Sequence, residues 1–228
     1  LVSGQTGVGK TLLATEFAQG GARLGERCLF FCFEESHEQL FRNAGAWGHD
    51  LAPLEDAGQL QVVCEYPEAE SLEDWLVRIK QLMAELRPQR IVLDTLTALK
   101  RIASERSFRD FTLNLTSCIK QARLTAFLTA DIGPIFGADE ATGQHLSTIT
   151  DTIILMRYVE IGSRMRRGLT VLKARGSAHE TEIREYTIDG RGLHIGAAFP
   201  QTWQVLSRRV PRAGMMRNEF EGGDLDDG

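Results

Sequence analysis

A glycine-rich loop near the start of the chain constrains its fold more than any other feature of the sequence. Residues 4–11 match the spacing Gly-x-x-x-x-Gly-Lys-Thr in full, and the helix-forming run 12–19 follows directly. A loop of this kind leaves the end of a buried strand and opens a helix, so it predicts a strand–loop–helix unit of an α/β fold. The alternative is a glycine-rich turn with a chance Lys-Thr pair.

The same loop predicts binding of a nucleoside triphosphate. Its glycines let consecutive backbone N–H groups turn toward the phosphates, and the helix that follows adds the positive end of its dipole. Lys10 supplies a charge to the β- and γ-phosphates, and the hydroxyl of Thr11 can ligate Mg²⁺. The predicted nucleotide contacts in the loop are Thr6, Gly7, Val8, Gly9, Lys10 and Thr11.

Composition limits the size of the core and the classes of partner. The chain has 228 residues, of which 43% are hydrophobic, enough for one substantial α/β core. The net charge of −5 argues against a surface broadly committed to nucleic acid. The four cysteines lie mostly in apolar runs and predict reduced core residues of a cytoplasmic protein. No apolar run approaches the roughly 20 residues that span a bilayer.

Alternating strand and helix patterns predict a mostly parallel central sheet flanked by helices. Buried strands are predicted at 28–33, 60–63, 90–94 and 124–129. Helices are predicted at 36–47, 71–86 and 108–123, and a long loop at 131–144. Segments 149–159, 169–174 and 183–188 are rich in β-branched residues and predict antiparallel extensions of the sheet.

Three acids mark the ends of two predicted strands. Asp94 closes an apolar strand and is the expected Walker B carboxylate, while Glu34 and Glu35 follow the strand at 28–33. Because the carboxyl ends of parallel strands face the ligand in a doubly wound sheet, all three acids are expected beside the phosphate loop. The alternative is that they are solvated acids at strand ends.

Several ordered strings point to one family. They are Phe33-Glu-Glu-Ser36, Arg42-Asn-Ala44 with Trp47-Gly48, Leu93-Asp-Thr-Leu-Thr-Ala-Leu99, His145-Leu-Ser-Thr-Ile-Thr-Asp-Thr152 and Lys173-Ala-Arg-Gly-Ser177. With the phosphate loop, they resemble the C-terminal ATPase and autokinase domain of the KaiC family of circadian clock proteins, which are RecA-like ATPases. The resemblance covers the chain from Gly4 to about Ile188.

This resemblance implies a homohexameric ring that holds ATP between neighbouring subunits. Trp47 matches a position that walls the nucleotide base, although a core aromatic is an equal alternative. Lys173 and Arg175 are two apart on a predicted strand and so share one face; exposed solvated cations are the alternative. The matching contacts to the neighbour's ATP are Arg167, Lys173, Ala174, Arg175, Ser177 and His179. Thr181 replaces a lysine of the family.

The resemblance also implies autophosphorylation of Ser147 and Thr148. A hydroxyl that attacks the γ-phosphate needs a base, and a carboxylate within hydrogen-bond reach can take its proton. Glu34 is the first choice and Glu35 the second, for water in ATP hydrolysis and for the hydroxyl in phosphorylation. Lys10 and Asp94 complete the expected catalytic set, and Mg²⁺ would use Thr11, Glu34 and Asp94. The alternative for Ser147 and Thr148 is a pair of strand-edge hydroxyls without chemistry.

Two units are expected along the chain. Residues 1–198 form the RecA-like domain, and 199–228 form a flexible tail with a basic half and an acidic end. Because only three residues precede Gly4, we expect the natural chain to begin further upstream. Regulators of the KaiA and KaiB kind are possible partners, although the tail assigns none. Alternative functions are a RecA-like DNA-dependent ATPase and a scaffold that ATP assembles without kinase activity.

Overall fold

The computed structural model describes residues 1–132, 143–161 and 163–199, with the side chains of 143–145 excepted. The strands are β1 (Val2–Gly4), β2 (Cys28–Cys32), β3 (Leu60–Cys64), β4 (Arg90–Asp94), β5 (Thr125–Asp131), β6 (Thr152–Ile161), β7 (Arg164–Ala174), β8 (Arg184–Asp189) and β9 (Gly192–Ala198). The helices are α1 (Lys10–Ala22), α2 (His37–Ala46), α3 (Ala52–Asp56), α4 (Leu72–Leu86), α5 (Leu96–Arg101), α6 (Glu105–Gln121) and α7 (Gly143–Ile149).

The described strands form one sheet in the order β3-β2-β4-β5-β1-β6-β7-β8-β9. From β3 to β6 every neighbouring pair is parallel, whereas β6 to β9 pair in antiparallel fashion. Helices cover both faces of the parallel part. This is the mostly parallel α/β sheet with antiparallel extensions that the sequence predicts.

Strand β2 is buried along its whole length because both faces of the sheet are covered. Leu29, Phe31 and Phe33 belong to the core beneath α4 and α6. Cys28, Phe30 and Cys32 point to the other face, into the core beneath α1 and α2. A strand with apolar side chains on both faces reads as a continuous apolar run, as residues 28–33 do.

Serine side chains cap the start of two of the predicted helices. The side chain of Ser36 accepts a hydrogen bond from the backbone of Gln39, and the Gln39 side chain accepts one from the Ser36 backbone, a capping box that starts α2. Ser71 caps α4 by accepting a hydrogen bond from the backbone of Asp74. Among the described residues, no helix is both long and apolar enough to cross a membrane.

Several elements differ from the sequence prediction. The segment that begins at 149 is the end of helix α7, and the strand starts at Thr152, so Ser147 and Thr148 lie on a helix and not at a strand edge. Strand β7 begins earlier than expected and ends at Ala174, which leaves Arg175 in the following turn. Helix α5 and strand β9 were not predicted. The predicted tail, apart from its first residue, and most of the 131–144 loop lie outside the described residues.

Candidate nucleotide-binding site

The phosphate loop leaves β1, which lies between β5 and β6 and is the middle strand of the nine-stranded sheet. Gly9 has a φ of 107°, which favours glycine, and precedes the first helical residue, Lys10. A Cβ on Gly4 would lie 2.5 Å from the carbonyl oxygen of Met156 on β6, so only glycine fits where the loop begins. These positions let the loop turn sharply from the strand into α1.

Lys10 is nearly buried and has three oxygen partners. Its Nζ donates to the carbonyl oxygens of Gly4 at 3.1 Å and Gln5 at 3.0 Å. It also forms an ion pair with Asp131, at 2.7 Å between Nζ and Oδ1. The carboxylate of Asp131, at the end of β5, therefore holds the charge that the sequence assigns to phosphate.

Asp94 lies beside the loop, as the sequence predicts for a Walker B acid. Its Oδ2 accepts a hydrogen bond of 2.7 Å from the hydroxyl of Thr11, and its Oδ1 accepts one from the hydroxyl of Thr129. Burial raises the pKa of Asp94, and the hydrogen bonds from Thr129 and Thr11, with the charge of Lys10, oppose that rise. A cation at this position would relieve the cost of burying the carboxylate.

The predicted Mg²⁺ ligands fit that ion only in part. Thr11 and Asp94 are in contact and offer the hard oxygen atoms that Mg²⁺ prefers. Glu34 instead forms an ion pair with Arg101, at 2.9 Å between Oε1 and Nη2. Within the described part of the chain, no group of three or more His, Cys, Asp or Glu side chains could hold a metal. Mg²⁺ would therefore need ligands from phosphate and water, which is usual for this ion.

Glu34 and Glu35 emerge at the same edge of the sheet as Asp94. Cys32 pairs with Asp94 in the register of β2 and β4, and the N–H of Phe33 donates to the carbonyl oxygen of Asp94 at 2.8 Å. Glu34 is more exposed than Glu35, which accepts a hydrogen bond of 3.1 Å from Asn43. The more exposed acid is the one that a reacting group can reach.

Two tyrosines that the sequence did not single out brace the phosphate loop. The hydroxyl of Tyr158 on β6 donates to the carbonyl oxygen of Gly7 at 2.8 Å. The hydroxyl of Tyr186 on β8 donates to the carbonyl oxygen of Val8 at 2.7 Å. Tyr186 is fully buried, and Ile188 on the same strand would touch a Cβ on Gly9. These hydrogen bonds hold the peptide groups of Gly7 and Val8 in place, and the N–H of Val8 also donates to the carbonyl oxygen of Gln5 at 3.4 Å.

Arg167 lies at this same edge of the sheet. It pairs with Tyr158 in the register of β6 and β7, and its guanidinium lies 5.7 Å from the centre of the Tyr158 ring. Arg167 is thus close to the phosphate loop of its own chain and far along β7 from Lys173. Trp47 ends α2 and is half-buried, and its contact with a base stays a prediction.

The other predicted contacts lie at the opposite edge of the sheet. Lys173 pairs with Ile153 at the start of β6, whereas Tyr158, beside the phosphate loop, lies five residues further along that strand, about 17 Å away. Ala174 is the last residue of β7, and the turn after it exposes Arg175, Ser177 and His179. These residues cannot contact a nucleotide in the loop of their own chain.

Lys173 and Arg175 hold the C-terminal end of α7. The Nζ of Lys173 donates to the carbonyl oxygens of Ser147 and Thr150, and Nη2 of Arg175 donates to that of Thr148 at 2.8 Å. Cations at this end of a helix are favoured by its dipole. The structure therefore brings the two predicted phosphoacceptors together with two of the predicted phosphate-binding cations.

The phosphate loop, the Walker B acid and the strand order together define a RecA-like P-loop ATPase fold. A family model described as "ATPase: KaiC" matches residues 1–198. The chain belongs to the KaiC family.

Relatives carry the same family name. The chain is 50% identical over 207 residues to the circadian clock protein KaiC3 of Synechocystis sp. (strain ATCC 27184 / PCC 6803 / Kazusa), covering 91% of this chain and 41% of that protein. It is 45% identical over 207 residues to the circadian clock oscillator protein KaiC of Thermosynechococcus vestitus, covering 91% of this chain and 40% of that protein. It is 42% identical over 215 residues to the circadian clock oscillator protein KaiC of Acaryochloris marina, covering 94% of this chain and 41% of that protein. The chain thus spans about two fifths of these relatives.

Proposed function

We propose that this chain is the ATPase and autokinase unit of a KaiC-type clock protein. In this proposal it assembles as a homohexamer, binds ATP with Mg²⁺ between neighbouring subunits, and phosphorylates and dephosphorylates Ser147 and Thr148. One observation carries the proposal: the phosphate loop and the α7 hydroxyls lie at opposite edges of the sheet in one chain. A phosphate bound in the loop needs a second subunit to reach those hydroxyls.

A head-to-tail ring supplies that second subunit. In such a heterologous interface, one surface of each subunit meets a different surface of the next, and rotation closes the ring. The edge with Lys10, Asp94 and Glu34 would then face the neighbour's Lys173 and Arg175. Cations supplied across an interface stabilise the charge of the transferring phosphoryl group, so activity would depend on assembly.

The residues of the chain can divide the reaction as follows. Lys10 would exchange Asp131 for the β- and γ-phosphates, and Thr11 and Asp94 would hold Mg²⁺ together with phosphate and water. When bound there, Mg²⁺ would supply charge neutralisation for the phosphates. Glu34 takes the proton of the attacking hydroxyl as the new O–P bond forms and the bond to ADP breaks. A water molecule in place of the hydroxyl gives ATP hydrolysis.

Arg101 limits the availability of Glu34 as a base. It holds the carboxylate of Glu34 in an ion pair that leaves both side chains more than a third exposed. An exposed pair of this kind contributes little to stability, at most about 1 kcal/mol, so it can open readily. We propose that assembly or nucleotide binding turns Arg101 away and frees Glu34 as a base. Regulators of the KaiA and KaiB kind would act on the assembled ring.

Phosphopeptide mapping tests the proposal. The protein is incubated with ATP and Mg²⁺, and phosphate is expected on Ser147 and Thr148. Replacing both Glu34 and Glu35 with Gln should remove the phosphate and preserve hexamers, whereas the exposed control Glu68→Gln should leave both unchanged. ATP hydrolysis without label on either hydroxyl would contradict the kinase assignment. A salt-sensitive gain in hydrolysis on adding single-stranded DNA would favour the DNA-dependent alternative.

A further inference from the structure

Two cysteines face each other on neighbouring strands beside the candidate site. Cys32, the last residue of β2, pairs with Cys64, the last residue of β3, in a parallel register. Parallel in-register side chains point to the same face, and both thiols lie in the core beneath α1 and α2. Neighbouring strands are about 4.8 Å apart, within the range of Cα separations that a disulfide joins.

The two thiols differ in access. Cys32 is 1% exposed, whereas Cys64 is half-buried. A hydrogen bond between them lowers the pKa of Cys64, against the opposing effect of burial. The thiolate is the nucleophilic form of cysteine, so the accessible member of the pair is also the more reactive one.

We propose that Cys64 and Cys32 form a modification site for hydroperoxides, at which the dithiol is oxidised to an intrachain disulfide. The thiolate sulfur of Cys64 attacks one oxygen of hydrogen peroxide, the O–O bond breaks, and the released hydroxide takes a proton to leave as water. The sulfur of Cys32 then attacks the sulfenic acid of Cys64, the S–S bond forms, and the sulfenic oxygen leaves as a second water. Two thiols are oxidised and one peroxide is reduced.

The position of the bridge connects it to the nucleotide site. Cys32 pairs on its other side with Asp94 and is two residues before Glu34. The bridge would fix the edge strand β3 onto the strand that carries the candidate base. The other two cysteines lie elsewhere: Cys28 is buried at the opposite end of β2, and Cys118 is half-buried on α6. They serve as matched controls.

Differential alkylation tests the proposal without an activity measurement. The wild-type protein is treated with hydrogen peroxide, remaining thiols are blocked, and peptides are mapped before and after reduction. We expect a reducible cross-link between the peptides that carry residues 32 and 64, with complete loss of both thiols. Variants Cys28→Ala and Cys118→Ala should form the same cross-link to the same extent.

Two further variants separate the roles of the partners. Cys32→Ala should stop at a sulfenic acid on Cys64, which dimedone traps, and Cys64→Ala should lose the rapid thiol oxidation altogether. Dithiothreitol should restore both thiols of the wild-type protein. The proposal is overturned if peroxide converts Cys64 to sulfinic acid without a cross-link. It is also overturned if the cross-link uses Cys28 or Cys118, or if both thiols survive peroxide.

Discussion

Replacing Asp131 with Asn should tighten the binding of ATP. Asp131 and Lys10 form an ion pair of 2.7 Å, with side chains that are 25% and 9% exposed. The incoming phosphates must take Lys10 from this partner, and the carboxylate left behind repels them. Asn keeps the shape of the side chain and one carbonyl oxygen but removes the negative charge. Both effects of the substitution therefore favour the nucleotide-bound state.

The magnitude follows from the geometry of the pair. Two unit charges about 4 Å apart interact with about 4 kcal/mol at an effective dielectric constant of about 20. Solvent reaches Asp131, and Lys10 keeps its hydrogen bonds to the carbonyl oxygens of Gly4 and Gln5. Removing the charge of Asp131 therefore adds only part of this interaction energy to ATP binding. We expect about 1–3 kcal/mol, which corresponds to a Kd for ATP roughly 5- to 150-fold lower.

Isothermal titration with ATP and Mg²⁺ measures the change directly. Asp110→Asn is the matched control, because it removes the same charge from an exposed position on α6. The control should bind ATP as the wild-type protein does. Unchanged or weaker ATP binding by Asp131→Asn, relative to Asp110→Asn, would refute the view that Asp131 competes with phosphate for Lys10. A weakening seen only with Mg²⁺ would make Asp131 a participant in the metal site.

Three further outcomes are expected. Tyr186→Phe loses a buried hydrogen bond to the carbonyl oxygen of Val8, so it should reduce the free energy of unfolding by about 1–2 kcal/mol and weaken ATP binding. Tyr158→Phe loses an exposed hydrogen bond and should reduce the free energy of unfolding by less. Urea unfolding and ATP titration of both variants check this. Because burial raises the pKa of Asp94, its contribution to stability is present below the unfolded pKa and lost as pH rises through the folded pKa. Asp94→Asn should therefore raise Tm at neutral pH, flatten its pH dependence and abolish ATP hydrolysis, and an unchanged Tm profile would contradict this. Arg101→Gln should cost less than about 1 kcal/mol of stability yet change the hydrolysis rate, and an unaltered rate would remove Arg101 from the mechanism.

The local parts of the fold and site could be read from the sequence, because their causes are local. The loop spacing, the apolar run at 28–33 and the helix start at residue 36 depend on residues close together in the chain. The partners of Lys10 and of the loop carbonyl oxygens could not be predicted in this way. Asp131, Tyr158 and Tyr186 reach the loop only through the pairing of distant strands, and no spacing in the sequence encodes that pairing.

The 147–152 segment is instructive for the same reason. Its β-branched residues favour a strand, but the segment is a helix as far as Ile149. Lys173 and Arg175 donate to the carbonyl oxygens at the end of that helix, which are groups that a helix leaves without backbone partners. A contact between residues about 26 apart in sequence thus outweighs the local propensity. It also places both predicted phosphoacceptors at the edge opposite the phosphate loop.

Transfer of phosphate between two differently mutated chains tests the central claim most directly. One chain carries Glu34→Gln and Glu35→Gln with intact hydroxyls, and the other carries Ser147→Ala and Thr148→Ala with intact carboxylates. Each is incubated alone with labelled ATP and Mg²⁺, and the two are then mixed and allowed to assemble. The account predicts no label on either chain alone, and label on Ser147 and Thr148 of the carboxylate-deficient chain in the mixture. An unlabelled mixture that still assembles and hydrolyses ATP would contradict it.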